Sequence, residues 1–165
     1  MTDVALEGAW IESRRAAVRE LDVAQIAEAV AGLAVEACCS LGDDVVAFFE
    51  QATEREESET GRDVLDQLLE NARLAKDTRV PLCQDTGLAV VFLEVGQDVH
   101  LVGGDLEQAV DEGVRKGYAE GYLRKSTVAD PIGARNNTGG NGPAMLHTRI
   151  VAGDKVRVIV APKGG

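Results

Sequence analysis

The stretch VPLCQDTG at residues 80–87 runs directly into LAVVFLEV at residues 88–95. The second half is a short and nearly continuous apolar run, which predicts a sheet strand covered on both faces. Pro81 restricts the backbone before the cysteine and Gly87 frees it after the threonine, so we expect the polar groups between them to lie in a fixed loop. The loop thus lies between a predicted helix and a predicted strand. A fixed loop of this kind can present Cys83 to a metal.

Upstream of this stretch, apolar residues recur at helical spacing. After Asp22, a candidate N-cap, they follow at steps of three and four, which predicts a first helix. Gly42 ends that helix and a second one covers residues 45–53. A charged segment over residues 54–61 separates the second helix from a third, over residues 64–74.

Downstream of the apolar run, the pattern mixes strands with one more helix. Residues 99–102 are expected to pair beside the first strand. Asp105, with a glutamine three residues later, has the spacing of a capping box and predicts a helix. Residues 145–151 and 155–160 flank a glycine-bearing turn at residues 152–154, which predicts a β-hairpin.

Together these elements predict an α+β fold, with N-terminal helices followed by a mixed sheet that has a C-terminal β-hairpin and one further helix. A chain of 165 residues fits one domain with a core of its own. We place this domain over residues 21–165. Residues 1–20 are either an N-terminal extension or a lead into the first helix.

The composition excludes several classes of partner. The net charge of -11 repels nucleic acid and anionic lipid. No window approaches the roughly 18 apolar residues of a membrane span, and the first residues lack the basic run of a secretory signal. The 3 cysteines do not make a disulfide framework. We therefore expect a cytoplasmic protein with no nucleic-acid and no membrane partner.

Cys83 is the candidate metal ligand. A free cysteine is usually a small buried hydrophobe, but the three residues after Cys83 are polar, and such a loop suits a thiolate ligand better than a structural thiol. Cys38 and Cys39 lie in a helix with an apolar stripe and point about 100° apart, so one metal does not reach both easily. Packing is the better interpretation for that pair.

Three further segments each allow two interpretations. Arg124 and Lys125 are expected at the end of the helix that begins at Asp105, where they either complement the helix dipole or recognise a carboxylate. The polar, glycine-rich residues 126–142 are either a functional loop or a mobile surface loop. APKGG at residues 161–165 either offers a cation and backbone N–H groups to an anion or is a frayed end.

Five segments carry a family likeness: VPLCQDTG at 80–87, VGQDVHLVGGDLEQAV at 95–110, YLRKS at 122–126, NNTGGNGPA at 136–144 and APKGG at 161–165. In this order they resemble the N-terminal region of the iron-sulfur hydro-lyases that comprise class I fumarate hydratase and the tartrate dehydratase alpha subunit. The likeness spans residues 18–165. The LRKS segment and the Lys-Gly-Gly ending look closer to the fumarate hydratases.

The resemblance implies a 4Fe-4S cluster held by three cysteines, with one iron open to substrate. Cys83 matches the first ligand, and the family's other two lie in later sequence that Cys38 and Cys39 do not match. One thiolate does not replace the usual ligand set. We therefore expect a truncated alpha part that is inactive as an isolated chain, because its cluster does not assemble alone. Activity is expected to need a C-terminal domain or beta subunit in a homo- or hetero-oligomer.

The implied chemistry is the reversible hydration of a C4 dicarboxylate, fumarate to L-malate, at an iron that acts as a Lewis acid. Gln84 and Asp85 match residues that line the substrate site, and Asp85 is the candidate for assisting proton transfer. Arg124 matches the arginine that holds a substrate carboxylate. The start of a glycine-rich turn near cluster and substrate is matched by Lys163, Gly164 and Gly165.

Three alternatives stay open beside this interpretation. The chain could be part of an L-tartrate dehydratase alpha subunit. It could be a non-enzymatic binding or assembly module with the same fold, which docks a partner carrying the rest of the site. The weakest alternative is a small anion-binding protein built around the two glycine-rich turns.

Overall fold

The structure, a computed structural model, describes residues 18–164. Predictions for residues 1–17 and for Gly165 lie outside the described residues. The elements in chain order are β1 (Arg19–Asp22), α1 (Val23–Cys39), α2 (Asp43–Arg55), α3 (Glu59–Thr78), β2 (Leu88–Gly96), β3 (Val99–Val102), α4 (Leu106–Glu120), β4 (Met145–Val151) and β5 (Val156–Lys163). The predicted α+β class is confirmed.

Capping side chains set the beginnings of the helices. The Asp22 carboxylate accepts a hydrogen bond from the Ala24 N–H at 2.9 Å, and the Asp105 carboxylate accepts one from the Gln108 N–H at 2.9 Å, as the sequence predicts. Helices α2 and α3 are longer than predicted and leave only residues 56–58 between them. Most of the charged segment over residues 54–61 is thus helical and not a separating loop. Glutamate and arginine are good helix formers.

Strand β2 is the centre of a three-stranded mixed sheet of order β4-β2-β5, parallel to β4 and antiparallel to β5. The predicted C-terminal hairpin is therefore wrong, since β4 and β5 pair with β2 and not with each other. Their connection crosses the end of β2, where a Cβ on Gly96 would lie 2.2 Å from the Gly153 carbonyl oxygen. The crossing is possible because residue 96 has no side chain.

Strand β3 pairs with β1 in a separate two-stranded parallel sheet, with Arg19 opposite Val99. The prediction that residues 99–102 pair beside β2 is wrong, because β4 and β5 already occupy both edges of β2. Residues 19 and 20 are part of β1, which runs directly into α1 at Val23.

One face of β2 is buried and the opposite face is exposed. Val91 and Leu93 are fully buried in a core shared with α1 and α4. Phe92 points to the other side, is 41% exposed and stacks on His147 with ring centroids 5.1 Å apart. The expectation of a strand covered on both faces is therefore wrong for the part of the chain that the structure describes.

The segment Val23–Arg55 has the length and apolar composition of a membrane span, contrary to the expectation from the sequence. It consists of two helices, α1 and α2, with residues 40–42 between them. The apolar residues Ile26, Val30 and Ala34 of α1 are buried in the core. The apolar stripe of α1 therefore packs into the core.

Helices α1 and α4 contact each other through glycine. A Cβ on Gly113 would lie 2.5 Å from the Ala27 carbonyl oxygen, and one on Gly117 would lie 2.7 Å from the Ala31 carbonyl oxygen. A larger residue at either position has to push the two helices apart. Tyr118 follows directly and is 1% exposed, so this contact fixes how deeply the tyrosine lies in the core.

We predict that Gly113→Ala destabilises the fold, although alanine is ordinarily better than glycine in a helix by about 1 kcal/mol. The added methyl group has to displace the backbone of α1, and overpacking of this kind costs about 1–3 kcal/mol. The free energy of unfolding is measured by urea denaturation followed by circular dichroism.

Gly32→Ala is the matched control, because a Cβ on Gly32 of α1 meets nothing within 4 Å. The same substitution should there raise the free energy of unfolding by up to about 1 kcal/mol. If both variants have a higher free energy of unfolding than the parent chain, the result contradicts the close contact between α1 and α4.

Candidate functional site

The loop over residues 80–87 is attached to the ends of two helices. Arg79 closes α3 in a left-handed conformation with φ of 57°. The Leu82 N–H then donates to the Cys38 carbonyl oxygen at 2.9 Å, and the Asn71 amide donates to the Leu82 carbonyl oxygen at 3.0 Å. These bonds lie just before Cys83 and hold the backbone that presents it.

Cys83 is exposed at the surface of this loop. Its Sγ accepts a hydrogen bond from the Asp85 N–H at 3.5 Å and lies 3.7 Å from Gln84 Oε1. Cys38 and Cys39 are buried in α1, which confirms the packing interpretation for that pair. Burial raises the pKa of the Cys38 thiol to about 11 and also raises the pKa of Cys39.

Thr86 and Gly87 connect the loop to the interior. The Thr86 hydroxyl donates to the Arg124 carbonyl oxygen at 2.9 Å, and the Tyr118 hydroxyl donates to the Thr86 carbonyl oxygen at 2.8 Å. Burial raises the pKa of Tyr118, so its hydroxyl keeps its proton and remains a donor. Gly87 has φ of 56°, and a Cβ there would lie 1.9 Å from the Lys163 carbonyl oxygen.

An open cleft of about 500 Å³ lies where this loop, the segment after α4 and the end of β5 meet. The residues that line it are Gln84, Asp85, Gly87, Leu88, Arg124, Ser126, Lys163 and Gly164. The cleft thus brings together the predicted substrate-site residues that the structure describes. Cys83 precedes the first of them in the chain, and Gly165 lies outside the described residues.

Arg124 reaches the cleft from a loop and not from a helix end. Helix α4 ends at Glu120 with Gly121 as its C-cap, so the expectation that Arg124 lies at the end of this helix is wrong. Tyr122 adopts φ of 53° and turns the chain, and Leu123 is 4% exposed and anchors the segment in the core. The dipole interpretation of Arg124 therefore loses its basis.

The cleft concentrates positive charge in an acidic protein. Arg124 and Lys163 line it together with one carboxylate, Asp85, whereas the whole chain has a net charge of -11. A Cβ on Gly164 would lie 2.8 Å from Asp85 Oδ2, so this carboxylate lies against the backbone of the last described residue. Two cations in one cleft suit a small anion with two charged groups.

The polar segment over residues 126–142 is held by hydrogen bonds to itself and to the cleft. Val128 and Asn137 form a β-bridge. The backbone N–H groups of Gly133, Ile132 and Ala134 donate to the Asp130 carboxylate and hold its pKa below its usual range. This network argues against the interpretation as a mobile surface loop.

Sequence reasoning missed the residues that hold the two sides of the cleft together. Thr86 was one polar residue among several, and Tyr118 was indistinguishable from an ordinary packing residue. Asn141 is 0% exposed, although it lies in a run of asparagine and glycine typical of a surface turn. Their shared signal is a polar group in the interior, which only the tertiary structure reveals.

Residues 18–164 do not form a complete metal site. Cys83 is the exposed thiol among them, and they contain no group of three or more His, Cys, Asp or Glu residues that could hold a metal ion. An iron-sulfur cluster takes several cysteine thiolates. The described residues therefore do not fit such a cluster by themselves, and Cys83 would need further ligands from elsewhere.

Residues 27–165 match the protein family described as fumarate hydratase (Fumerase). The chain belongs to this family. An L(+)-tartrate dehydratase subunit alpha of Escherichia coli is 28% identical over 145 residues. The anaerobic class I fumarate hydratase of Escherichia coli is 38% identical over 111 residues. A protein of Methanocaldococcus jannaschii, assigned as an L(+)-tartrate dehydratase subunit alpha, is 33% identical over 147 residues. The resemblance read from the motifs is confirmed.

This member of the fumarate hydratase family spans part of the length of these relatives. The matches cover 85% of the chain and 50% of the Methanocaldococcus jannaschii protein, and 87% of the chain and 48% of the Escherichia coli tartrate dehydratase subunit. The match to the anaerobic fumarate hydratase covers 67% of the chain and 20% of that enzyme. The chain therefore spans about half the length of the tartrate dehydratase subunits and about a fifth of the fumarate hydratase.

We predict that Cys83 is the cysteine of this family member that reacts first with iodoacetamide. The thiolate is the reactive form, and burial together with a raised pKa keeps Cys38 and Cys39 protonated and shielded. Peptide mass spectrometry should find one rapidly modified cysteine in the native chain and all of them after denaturation. Cys83→Ser should remove the rapid reaction, and rapid modification of Cys38 would contradict its place in the core.

Proposed function

We propose that this chain is the N-terminal part of an iron-sulfur hydro-lyase that reversibly hydrates a C4 dicarboxylate, fumarate to L-malate. Its membership of the fumarate hydratase family supports the class of reaction. The observation that carries the proposal is the convergence of Gln84, Asp85, Arg124 and Lys163 on one cleft beside an exposed cysteine. These residues come from distant parts of the chain.

In this proposal the cleft binds the substrate by its two carboxylates. The planar guanidinium of Arg124 pairs with one carboxylate through two parallel hydrogen bonds, and the Lys163 ammonium compensates the charge of the other. The Gln84 amide offers both a donor and an acceptor to the same molecule. Asp85 is placed on the same wall, where it assists proton transfer during addition or removal of water.

Cys83 supplies one ligand of a 4Fe-4S cluster in this proposal, and the other ligands come from a polypeptide that completes the site. The alpha-subunit names of the tartrate dehydratase relatives support a separate partner subunit. The partner is then a C-terminal domain or beta subunit, and the enzyme is an oligomer of such parts. Free cysteines in the described residues are consistent with a reducing, cytoplasmic location.

Tartrate is the second candidate substrate. The relatives that align with most of this chain are tartrate dehydratase alpha subunits, which match 85% and 87% of it, whereas the fumarate hydratase matches 67%. The identity is higher with the fumarate hydratase, at 38% against 33% and 28%. Both substrates are C4 diacids, so the same cations of the cleft would bind either of them.

Anaerobic reconstitution with iron and sulfide tests the proposal. We expect no cluster and no hydration with the chain alone, because the described residues offer one exposed thiol. With the completing polypeptide present, a cluster absorbance and fumarate hydration should appear together, and both should be lost in Cys83→Ser. Tartrate dehydration in place of fumarate hydration would select the second candidate. A fully reconstituted assembly with no activity on either diacid would support the non-enzymatic module instead.

We predict that Arg124→Ala raises KM for the diacid about ten- to a hundredfold in the reconstituted assembly, since a charge-assisted hydrogen bond contributes about 1.5–3 kcal/mol. Lys125→Ala is the matched control, because it removes a neighbouring exposed cation that does not line the cleft. Its KM should stay within about twofold of the parent value, as expected for a screened surface charge. An equal increase in KM for both substitutions would mean that Arg124 acts only through its long-range charge and not through hydrogen bonds to the diacid.

A further inference from the structure

Asn141 lies inside the protein between the two sides of the cleft. It is 0% exposed and has φ of 62°, a left-handed conformation that asparagine tolerates better than most residues. On one side is the loop that carries Gln84 and Asp85. On the other side is the segment that carries Arg124.

The Asn141 side chain bonds to both sides at once. Its Oδ1 accepts hydrogen bonds from the Ser126 N–H at 2.9 Å, the Thr127 N–H at 3.1 Å and the Thr127 hydroxyl at 3.0 Å. Its Nδ2 donates to the Gly87 carbonyl oxygen at 2.9 Å. An amide is the side-chain group that accepts on one side and donates on the other in this way.

A second bond joins the same two sides. The Thr86 hydroxyl, in a side chain that is itself buried, donates to the Arg124 carbonyl oxygen at 2.9 Å. The side chains of Asn141 and Thr86 thus make two separate hydrogen-bonded connections between the loop at residues 84–87 and the segment at residues 124–127. Buried hydrogen bonds of this kind are costly to break, because the groups left behind find no water.

We propose that Asn141 is a positioning residue that fixes the separation between Gln84 and Asp85 on one side of the cleft and Arg124 on the other, and so sets which length of diacid the cleft accepts. This rests on the proposed function, in which the cleft binds a dicarboxylate. The backbone of Lys163 lies against Gly87, so the bond from Asn141 to Gly87 also sets the distance between the two cations of the cleft. A diacid of matching length then pairs one carboxylate with Arg124 and the other with Lys163, whereas shorter or longer molecules leave one cation unpaired.

Asn141→Asp removes the hydrogen bond from Asn141 to the Gly87 carbonyl oxygen and keeps the bonds to the other side of the cleft. The carboxylate has the same shape and still accepts from Ser126 and Thr127, but it has no donor for the Gly87 carbonyl oxygen and repels it. Asn137→Asp is the matched control. Asn137 lies in the same loop and is exposed, and its amide bonds to Lys125 and Gly139 without contacting residues 84–87.

Calorimetric titration of the chain with malonate, succinate and glutarate measures the selectivity for length. We expect the parent chain and Asn137→Asp to share one preference, and the ratio of Kd values between the preferred and the other diacids to fall about tenfold in Asn141→Asp, the effect of one buried hydrogen bond. A variant that only loses stability would bind all three diacids more weakly with an unchanged ratio. An unchanged ratio in folded Asn141→Asp overturns the inference.

A measurement without ligand keeps the inference separate from the proposed function. In amide NMR spectra, Asn141→Asp should shift the signals of residues 84–88 as well as those of residues 124–127, whereas Asn137→Asp should leave residues 84–88 unchanged. Shifts confined to residues 124–142 overturn the inference. If the parent chain binds none of the diacids, the proposed function fails while the NMR comparison still decides whether Asn141 couples the two sides.

If Asn141→Asp does not fold, Asn141→Gly is the second variant that tests the inference. Glycine adopts φ of 62° without strain, and it removes the side chain that crosses between the two sides. The same loss of the Kd ratio and the same NMR shifts at residues 84–88 are expected. A folded glycine variant that retains the parent selectivity overturns the inference.

Discussion

The close contact between α1 and α4 is the constraint on which the rest of the structure depends. Gly113 and Gly117 let the two helix backbones approach to distances that no Cβ would allow. Tyr118 therefore lies deep in the core, and its hydroxyl reaches the carbonyl oxygens of Thr86 and Gly87. A contact between two helices, made by glycines that have no functional group, thus determines where the loop with Cys83 lies.

The cleft follows from this placement. Once Thr86 and Gly87 are fixed, the end of β5 meets Gly87 without a side chain between them, and the segment after α4 bonds to Thr86 through the Arg124 carbonyl oxygen. Two cations and one carboxylate then share a small volume at the surface of an acidic protein. Buried polar bonds lie behind these charges, and those bonds involve none of the cleft's charged side chains.

Much of the local structure could be predicted from the sequence, because its causes are local. Asp22 and Asp105 cap the helices that the apolar spacing predicts, and the apolar run at residues 88–95 is a strand. The pairing of strands could not be predicted. The turn at residues 152–154 has hairpin chemistry, yet β2 lies between β4 and β5 because its apolar face needs both neighbours to complete the core. Similarly, the motifs identified candidate contact residues, but Thr86, Tyr118 and Asn141 act through tertiary contacts that leave no linear signal.

We propose above that the cleft between residues 84–87 and Arg124 binds a C4 diacid. A crystal structure of the chain with bound succinate tests it most directly. We expect one carboxylate of succinate to pair with the Arg124 guanidinium, the other to lie near Lys163, and Gln84 to lie within hydrogen-bonding distance of the ligand. Succinate bound elsewhere, or a cleft from which the Arg124 side chain turns away in the presence of saturating succinate, would contradict it.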